Sequence, residues 1–336
     1  MDSFFDLFGE IPPPFNILLD HGAQTYWVTY IGSAVFAGLV YIFRRREKQV
    51  RLRAMLRYIF PKKLFKHPST RIDIKLYLAA SAFIFFQTGI LAIFSEFWVD
   101  IYLNLLKAFQ VSTPTVTPFT VKLIIPLALL LMLELGYWVG HFLLHKVPWL
   151  WEFHKVHHSA EIMTPVTELR QHPVELFLVP FVTVPFMALV YAVIFLGYGR
   201  DAEAYTIWSL SSFIAIFYFT YGHFRHSHVN VTTSGIWSYI FQSPLHHQIH
   251  HSTDPKHFDT NLGFCLSIWD WTFGTLCIPH KGQKITFGIQ DDLKHSTSFI
   301  DHWVQPAVQS YRVLTGRKKP FSPSRFLQRE KNTPEN

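Results

Sequence analysis

Five apolar runs set the strongest limit on what this chain can become. They are Tyr26 to Phe43, Leu76 to Val99, Val121 to about Gly140, Val174 to Gly197 and Tyr205 to Thr220. Several approach the roughly 20 residues that cross a bilayer as a helix. Any one of them fits a buried helix of a large soluble protein, but five leave too little amphipathic surface to cover them. Composition agrees: 49% of the 336 residues are hydrophobic and 17% aromatic, too apolar for an ordinary soluble domain of this size. The expected fold is all-α, with about four to five transmembrane helices and a His-rich helical cap.

Basic residues give the expected orientation. Arg44 to Lys75 carries twelve Lys or Arg against Glu47 and Asp73, whereas residues 1–23 carry Asp2, Asp6, Glu10 and Asp20 and no Lys or Arg. The positive-inside rule then places 1–23 outside and 44–75 in the cytoplasm. Counting crossings forward puts 141–173 and everything after about Tyr221 on the cytoplasmic side. The late first run behind an acidic, Pro-rich head predicts an uncleaved anchor rather than a cleaved signal. Both a bacterial inner membrane and the endoplasmic reticulum fit. Expected domains are 1–23, a transmembrane region 24–130 with the basic loop 44–75, a catalytic region 131–280 and a basic tail 281–336. The net charge of +7 sits beside membrane spans and in that tail, so anionic lipid headgroups are the expected partner and nucleic acid is not. Cys265 and Cys277, the only cysteines, lack the spacing of a redox or zinc motif. No internal repeat and no glycine motif for a dinucleotide or phosphate is present.

Histidines supply the chemistry. Fourteen of nineteen lie between His141 and His257, and ten form four tight groups: His141 and His145; His154, His157 and His158; His223 and His226; His247, His250 and His251. Residues three and four apart share a helix face, so each group aims its imidazoles at one point. Ten imidazoles exceed the needs of one ion and fit two neighbouring ions. Structural zinc recruits thiolates and needs four ligands. A carboxylate di-iron bundle needs paired Glu-x-x-His motifs, which these groups lack. An all-imidazole two-metal centre beside the bilayer is the expectation, and its useful chemistry is oxygen activation against an unactivated C–H bond. The rival reading is a membrane zinc transporter or sensor. It calls for ionisable residues along the spans, where Lys122 and Glu134 are the main ones.

The same residues resemble the fatty acid hydroxylase superfamily, which includes sterol desaturases, C4-methyl sterol oxidases and alkylglycerol monooxygenase. The resemblance covers roughly Leu133 to Leu276. It rests on Tyr137-Trp138-x-x-His141, on Pro148-x-Leu150-Trp151-x-x-His154-Lys155-Val156-His157-His158-Ser159, and on Arg170-x-His172-Pro173-x-Glu175. His226-Ser227-His228, with His228 where the family often has Asn, and His247-x-x-His250-His251 continue it, and Asn261-x-Gly263 and Trp269-Asp270-x-x-Phe273-Gly274-Thr275 close it. The resemblance implies an O2-dependent oxidoreductase with two iron ions, hydroxylating or desaturating a lipid or sterol. Electrons would come from NAD(P)H through a separate donor such as cytochrome b5, ferredoxin or a reductase. Implied ligands are His141, His145, His154, His157, His158, His226, His247, His250 and His251, with His223 in a box that varies. His172, Asp270 and Glu168 are implied to share in catalysis or to orient ligands. His228, His246, His257, Asp259 and Glu175 are further candidates for orienting imidazoles. Arg170 is expected to pair with an acid such as Glu175. The aromatic stripe Trp208, Phe213, Phe217, Phe219 and Tyr221 reads as packing, and Arg317 to Asn336 as a mobile tail.

Overall fold

The structure is a computed structural model that describes residues 27–45, 51–111, 123–198, 213–280, 282–289, 291, 293 and 296–320. Its helices are α1 (Trp27–Arg44), α2 (Leu52–Ile59), α3 (Lys62–Phe65), α4 (Pro68–Ala108), α5 (Ile125–Lys146), α6 (Pro148–His158), α7 (Pro173–Tyr198), α8 (Trp237–Ile240), α9 (Pro244–His250), α10 (Ile268–Phe273) and α11 (Phe299–Leu314). Short 3-10 turns cover Pro165–Leu169, Gly222–His226 and Pro255–His257. Among the described residues the only extended pairings are two isolated bridges, so the fold is all-α as expected.

Four stretches are long and apolar enough to cross a membrane: Trp27–Arg44, Gly89–Ala108, Ile125–Lys146 and Pro173–Gly197. The protein is an integral membrane protein. The second stretch lies further along the chain than the sequence suggested. Its helix, α4, is 41 residues long, and the first turns carry Arg71, Asp73 and Lys75. There Ile72, Asp73 and Leu76 are fully buried, so that part of α4 serves a protein core instead. Most of the expected fifth run lies outside the described residues; its end, 213–220, is helical.

The chain divides into two compact units. One takes the described parts of 1–59, 81–137 and 179–223 and holds most of the apolar helix. Within it α5 and α7 touch at Gly136, where a Cβ would fall 2.6 Å from the Thr183 Cα. Close backbone approach through a small residue is how helices associate where lipid offers no hydrophobic contrast. The other unit takes 60–80, 138–178 and the described parts of 224–320. Ile72, Leu76, Val156 and Leu293 form its apolar core, with Ile289, Phe299 and Trp303 packed against it. There α11 lies along α6, which contributes three of the ten grouped histidines.

Candidate metal centre

Local sequence explains how the histidines meet. His141 and His145 stand one turn apart at the end of α5. Val147 then adopts an extended conformation (φ −89°, ψ 112°) and Pro148 opens α6; proline is suited to a first helical position, where no N–H is needed. The chain reverses there, and α6 returns His154, His157 and His158. Ser243 and Pro244 start α9 in the same way, with the His246 side chain reaching back to the Ser243 backbone N–H. That helix delivers His247, His250 and His251. His226 ends the 3-10 turn Gly222–His226.

Two groups result, each with ligand atoms within 4.8 Å of one another: His141, His145, His154, His158 and His250; and His157, His226, His247 and His251. The groups are adjacent, since the His158 ring stacks on that of His251 at 4.4 Å. In the first group His154 Nε2 lies 3.1 Å from both His141 Nε2 and His158 Nε2. In the second, the Nε2 atoms of His226, His247 and His251 form a triangle with sides of 3.0, 3.1 and 3.2 Å, and His157 Nε2 lies 3.1 Å from His226 Nε2.

Protonation tests whether a cation fits. Backbone oxygens and carboxylates only accept hydrogen bonds. His141 Nδ1 donates to Leu262 O (2.7 Å), His250 Nδ1 to Thr260 O (2.8 Å) and His145 Nδ1 to Asp259 (3.2 Å), while His154 Nδ1 faces Glu175 Oε1 at 3.1 Å. The contacts of His141, His250 and His145 fix the proton outward and leave a lone pair on Nε2. The Nε2 lone pairs of His141, His145 and His250 therefore point inward, and those of His145 and His250 find no protein donor. Burial pushes His154, His158, His247, His250 and His251 well below the ordinary imidazole pKa, and His157 down to about 3. Neutral imidazoles with converging lone pairs are what a metal ion requires. A metal–nitrogen bond of about 2.1 Å separates ligand nitrogens by about 3.0 Å at right angles and about 3.4 Å at tetrahedral angles. The observed 3.0–3.2 Å spacings are compatible with nitrogens that share one ion.

A fatty acid hydroxylase family model matches residues 126–275, the stretch that holds every member of both groups. By this match, residues 126–275 are a fatty acid hydroxylase domain. It is 29% identical over 193 residues to ornithine lipid hydroxylase OlsE of Rhizobium tropici, covering 57% of this chain and 53% of that protein. It is 28% identical over 170 residues to alkylglycerol monooxygenase of Danio rerio (51% of this chain, 33% of that protein) and 26% identical over 156 residues to that of Xenopus tropicalis (46% and 31%). The matches thus span about a third to a half of the length of these relatives. No solved structure matches.

Within this fatty acid hydroxylase domain, nine of the ten expected ligands meet, and His223 does not. Its Nε2 pairs with the Thr29 hydroxyl at 2.9 Å and its ring stacks on Tyr30 at 3.9 Å, so its ring nitrogens join neither group. His172 also stands apart, donating from Nε2 to Trp303 O and accepting at Nδ1 from the Val174 N–H. Glu168 is buried in the turn Pro165–Leu169 and belongs to neither group. Asp270 touches no grouped histidine. It accepts from the backbone N–H groups of Leu262 and Gly263, the Trp138 indole, the Gln242 amide and the Thr275 hydroxyl, at 2.6–3.1 Å. Its work is to shape the loop whose carbonyls hold His141 and His250. In that loop Asp259 and Asn261 take left-handed φ values of 58° and 54°, which Asp and Asn tolerate. Gly263 leaves no room for a side chain, since a Cβ would fall 2.3 Å from Leu266 O. His246 caps α9, and His257 meets the Gln283 amide.

The sequence reading missed three partners. Arg170 binds Asp73 at 2.7 Å, not Glu175, and also ties the Val156 carbonyl, Ser159 and His302 at the end of α6. Arg225, fully buried, donates to His247 Nδ1 at 3.0 Å; an arginine inside a His-x-Arg-His run was the available signal. Lys318, expected in a mobile tail, is fixed by the buried Glu152 at 2.9 Å.

Proposed function

We propose that this protein is a membrane-embedded di-iron monooxygenase that hydroxylates a lipid, with O2 as co-substrate and two electrons from NAD(P)H through a separate donor protein. The observation that carries this reading is the pair of adjacent, buried, all-imidazole groups whose ring nitrogens converge. The named relatives, an ornithine lipid hydroxylase and alkylglycerol monooxygenases, act on lipids by their names, which supports the substrate class. His141, His145, His154, His158 and His250 would hold one ion, and His157, His226, His247 and His251 the other. Two redox-active ions supply reduction of O2 by two electrons, one oxygen atom entering the C–H bond and the other leaving as water with two protons.

This chain's own residues keep the imidazoles neutral by burial and fix their direction. Asp259, Thr260 O and Leu262 O hold the outer nitrogens of His145, His250 and His141, and ligand-orienting partners of this kind sustain metal affinity. A cavity of about 90 Å³ opens onto His145, His158, His250 and His251. Its lining combines the charged Lys155, Asp259 and Asp291 with the apolar Trp151, Phe258 and Ile289. Lys155 stays charged there, raised above its ordinary pKa by Glu152 and Asp291 against the opposing effect of burial.

The rival reading, a zinc transporter or sensor, would use the same histidines and is separated from the first by which metal they hold and whether O2 is consumed. The test is elemental analysis of the purified protein expressed with ample iron, together with lipid oxidation by the wild type and His157→Ala. Close to two irons per chain, and loss of the oxygenated product in His157→Ala with membrane insertion retained, are expected. Retained turnover in that variant, or zinc with no O2 consumption on adding reductant, overturns the proposal.

A further inference from the structure

The helix pair α8 and α10 presents large apolar side chains outward. Ile236, Trp237 and Tyr239 on one side, and Trp271 and Phe273 on the other, are 70%, 57%, 38%, 61% and 51% exposed. They form one face. Ser267 N–H bonds Ile240 O and Gln242 N–H bonds Cys265 O, both at 2.9 Å, and the rings of Tyr239 and Trp271 meet edge-on at 5.6 Å. The face has no charge: residues 229–245 contain no Asp, Glu, Lys or Arg, and between 261 and 279 the only one is Asp270. That carboxylate is fully buried beneath the face. A patch of this size and apolarity on a folded protein marks a surface that something covers.

The structure also indicates what covers it. Phe273 stacks on Trp138 at 4.5 Å, and the Trp138 indole N–H bonds Asp270. Trp138 belongs to α5, a membrane-crossing stretch, about two turns before its end at Lys146. The Trp138 ring continues onto Phe142, stacked at 5.1 Å. The aromatic face is therefore continuous with the lipid-crossing helix near its end, at the level where Trp and Tyr concentrate in a bilayer. We infer that the α8–α10 face is seated in the headgroup and upper acyl layer of the bilayer, as a membrane contact of the unit that carries the histidine groups. A protein partner recruited by charge, such as an electron donor steered electrostatically, finds no ion-pairing group on this face. The inference stands on the surface alone and does not depend on the metal or the reaction.

A nitroxide reports which phase the face occupies. In the full chain carrying Cys277→Ser (Cys265 is buried), Trp271→Cys and Trp237→Cys are spin-labelled and reconstituted in phosphatidylcholine vesicles. Ile93→Cys, on the exposed side of a crossing stretch, and Lys256→Cys, on an exposed charged turn, serve as lipid and water references. The expected result is that oxygen relaxes the labels at 271 and 237 more strongly than a water-soluble nickel chelate, as at 93 and opposite to 256. Chelate-dominated relaxation at both positions overturns the inference. Spin–spin broadening that disappears on dilution into excess lipid also overturns it, by showing that a second copy covers the face. If either tryptophan variant fails to fold, Ile236→Cys on the same face carries the reading.

Discussion

The two histidine groups share α6 and the end of α9 and meet through stacked rings, yet they are held in opposite ways. In the first, the outer nitrogens of His141, His145, His154 and His250 each face an oxygen, and three of those oxygens come from one short loop: the Asp259 side chain, Thr260 O and Leu262 O. The three loop contacts keep a proton outside and a lone pair inside. In the second, the outer nitrogen of His247 faces Arg225 Nη2 at 3.0 Å, and a guanidinium only donates. A neutral His247 thus keeps its proton on Nε2, pointing inward, and must release it to bind a metal. The first group is preset for a cation, whereas the second is poised between a cation and a proton.

Removing a central nitrogen gives the sharpest break. His226 Nε2 lies 3.0–3.2 Å from those of His157, His247 and His251. His226→Ala should empty the second group, abolish lipid oxidation and leave the first group loaded. Elemental analysis should fall from close to two metals per chain to close to one. Loss of both metals would show that the groups load as a unit and that the contrast between them has no consequence.

The next largest effect falls on the first group from a distance. Asp270 accepts five hydrogen bonds across its two oxygens. In Asp270→Asn either amide orientation turns an NH2 against at least two donors. Leaving buried donors unsatisfied in a charged network costs about 3 kcal/mol or more. Thermal unfolding in detergent should drop accordingly, and metal should leave the first group, because the Leu262 carbonyl that orients His141 loses its anchor. An unchanged melting temperature would remove Asp270 from the loop's support.

The asymmetry between the groups was only partly legible in the sequence. That nine histidines would meet was readable because imidazoles at helical spacing carry their geometry locally. His223 has the same spacing to His226, but spacing does not reveal that Tyr30 and Thr29, nearly two hundred residues away, hold its ring. Asp270 and Asn261-x-Gly263 stood out as motif residues. That their loop clamps His141, His145 and His250 depends on left-handed backbone at Asp259 and Asn261, which no periodicity encodes. Arg170 was correctly read as structural, but with the wrong acid: Asp73 arrives from α4, where a charged residue near an apolar run looked like a flank. The long crossing helices were legible by composition, while the exact apolar window of α4 was not, since burial in protein and burial in lipid select similar residues.

Arg225→Gln sharpens the contrast more finely. A glutamine amide can present its oxygen to His247 Nδ1 and reproduce the arrangement of the first group. In the wild type the second-group metal should be the first lost as pH falls, because a proton competes for His247 Nε2. In Arg225→Gln that difference should shrink, with retention in the second group improving by up to about tenfold, at the lower end of effects of ligand-orienting residues. Metal content after dialysis at stepped pH reads it directly. Weaker retention in the variant would instead mean that Arg225 stabilises His247 as an anionic ligand.

His302 should act on both groups alike. Its Nδ1 donates to Ser298 O at 2.8 Å and its Nε2 accepts from Arg170 at 3.1 Å, so it is neutral by geometry. Burial, then the Arg170 charge, lowers its pKa from 6.5 to about 4. The unfolded chain therefore binds a proton that the folded chain refuses between those values. The stability this contributes is fully present above pH 6.5 and is lost as pH falls toward 4, at most about 3 kcal/mol over that interval. Arg170 reaches from His302 to Val156 O and Ser159, at the end of the helix that bears His154 and His158 for one group and His157 for the other. Acid loosening at His302 should thus weaken both groups in parallel. His302→Gln, whose amide can make both hydrogen bonds without titrating, should flatten the melting-temperature profile between pH 4 and 6.5 while leaving the order of metal loss unchanged. A profile as steep as that of the wild type would place the acid sensitivity in the ligands themselves.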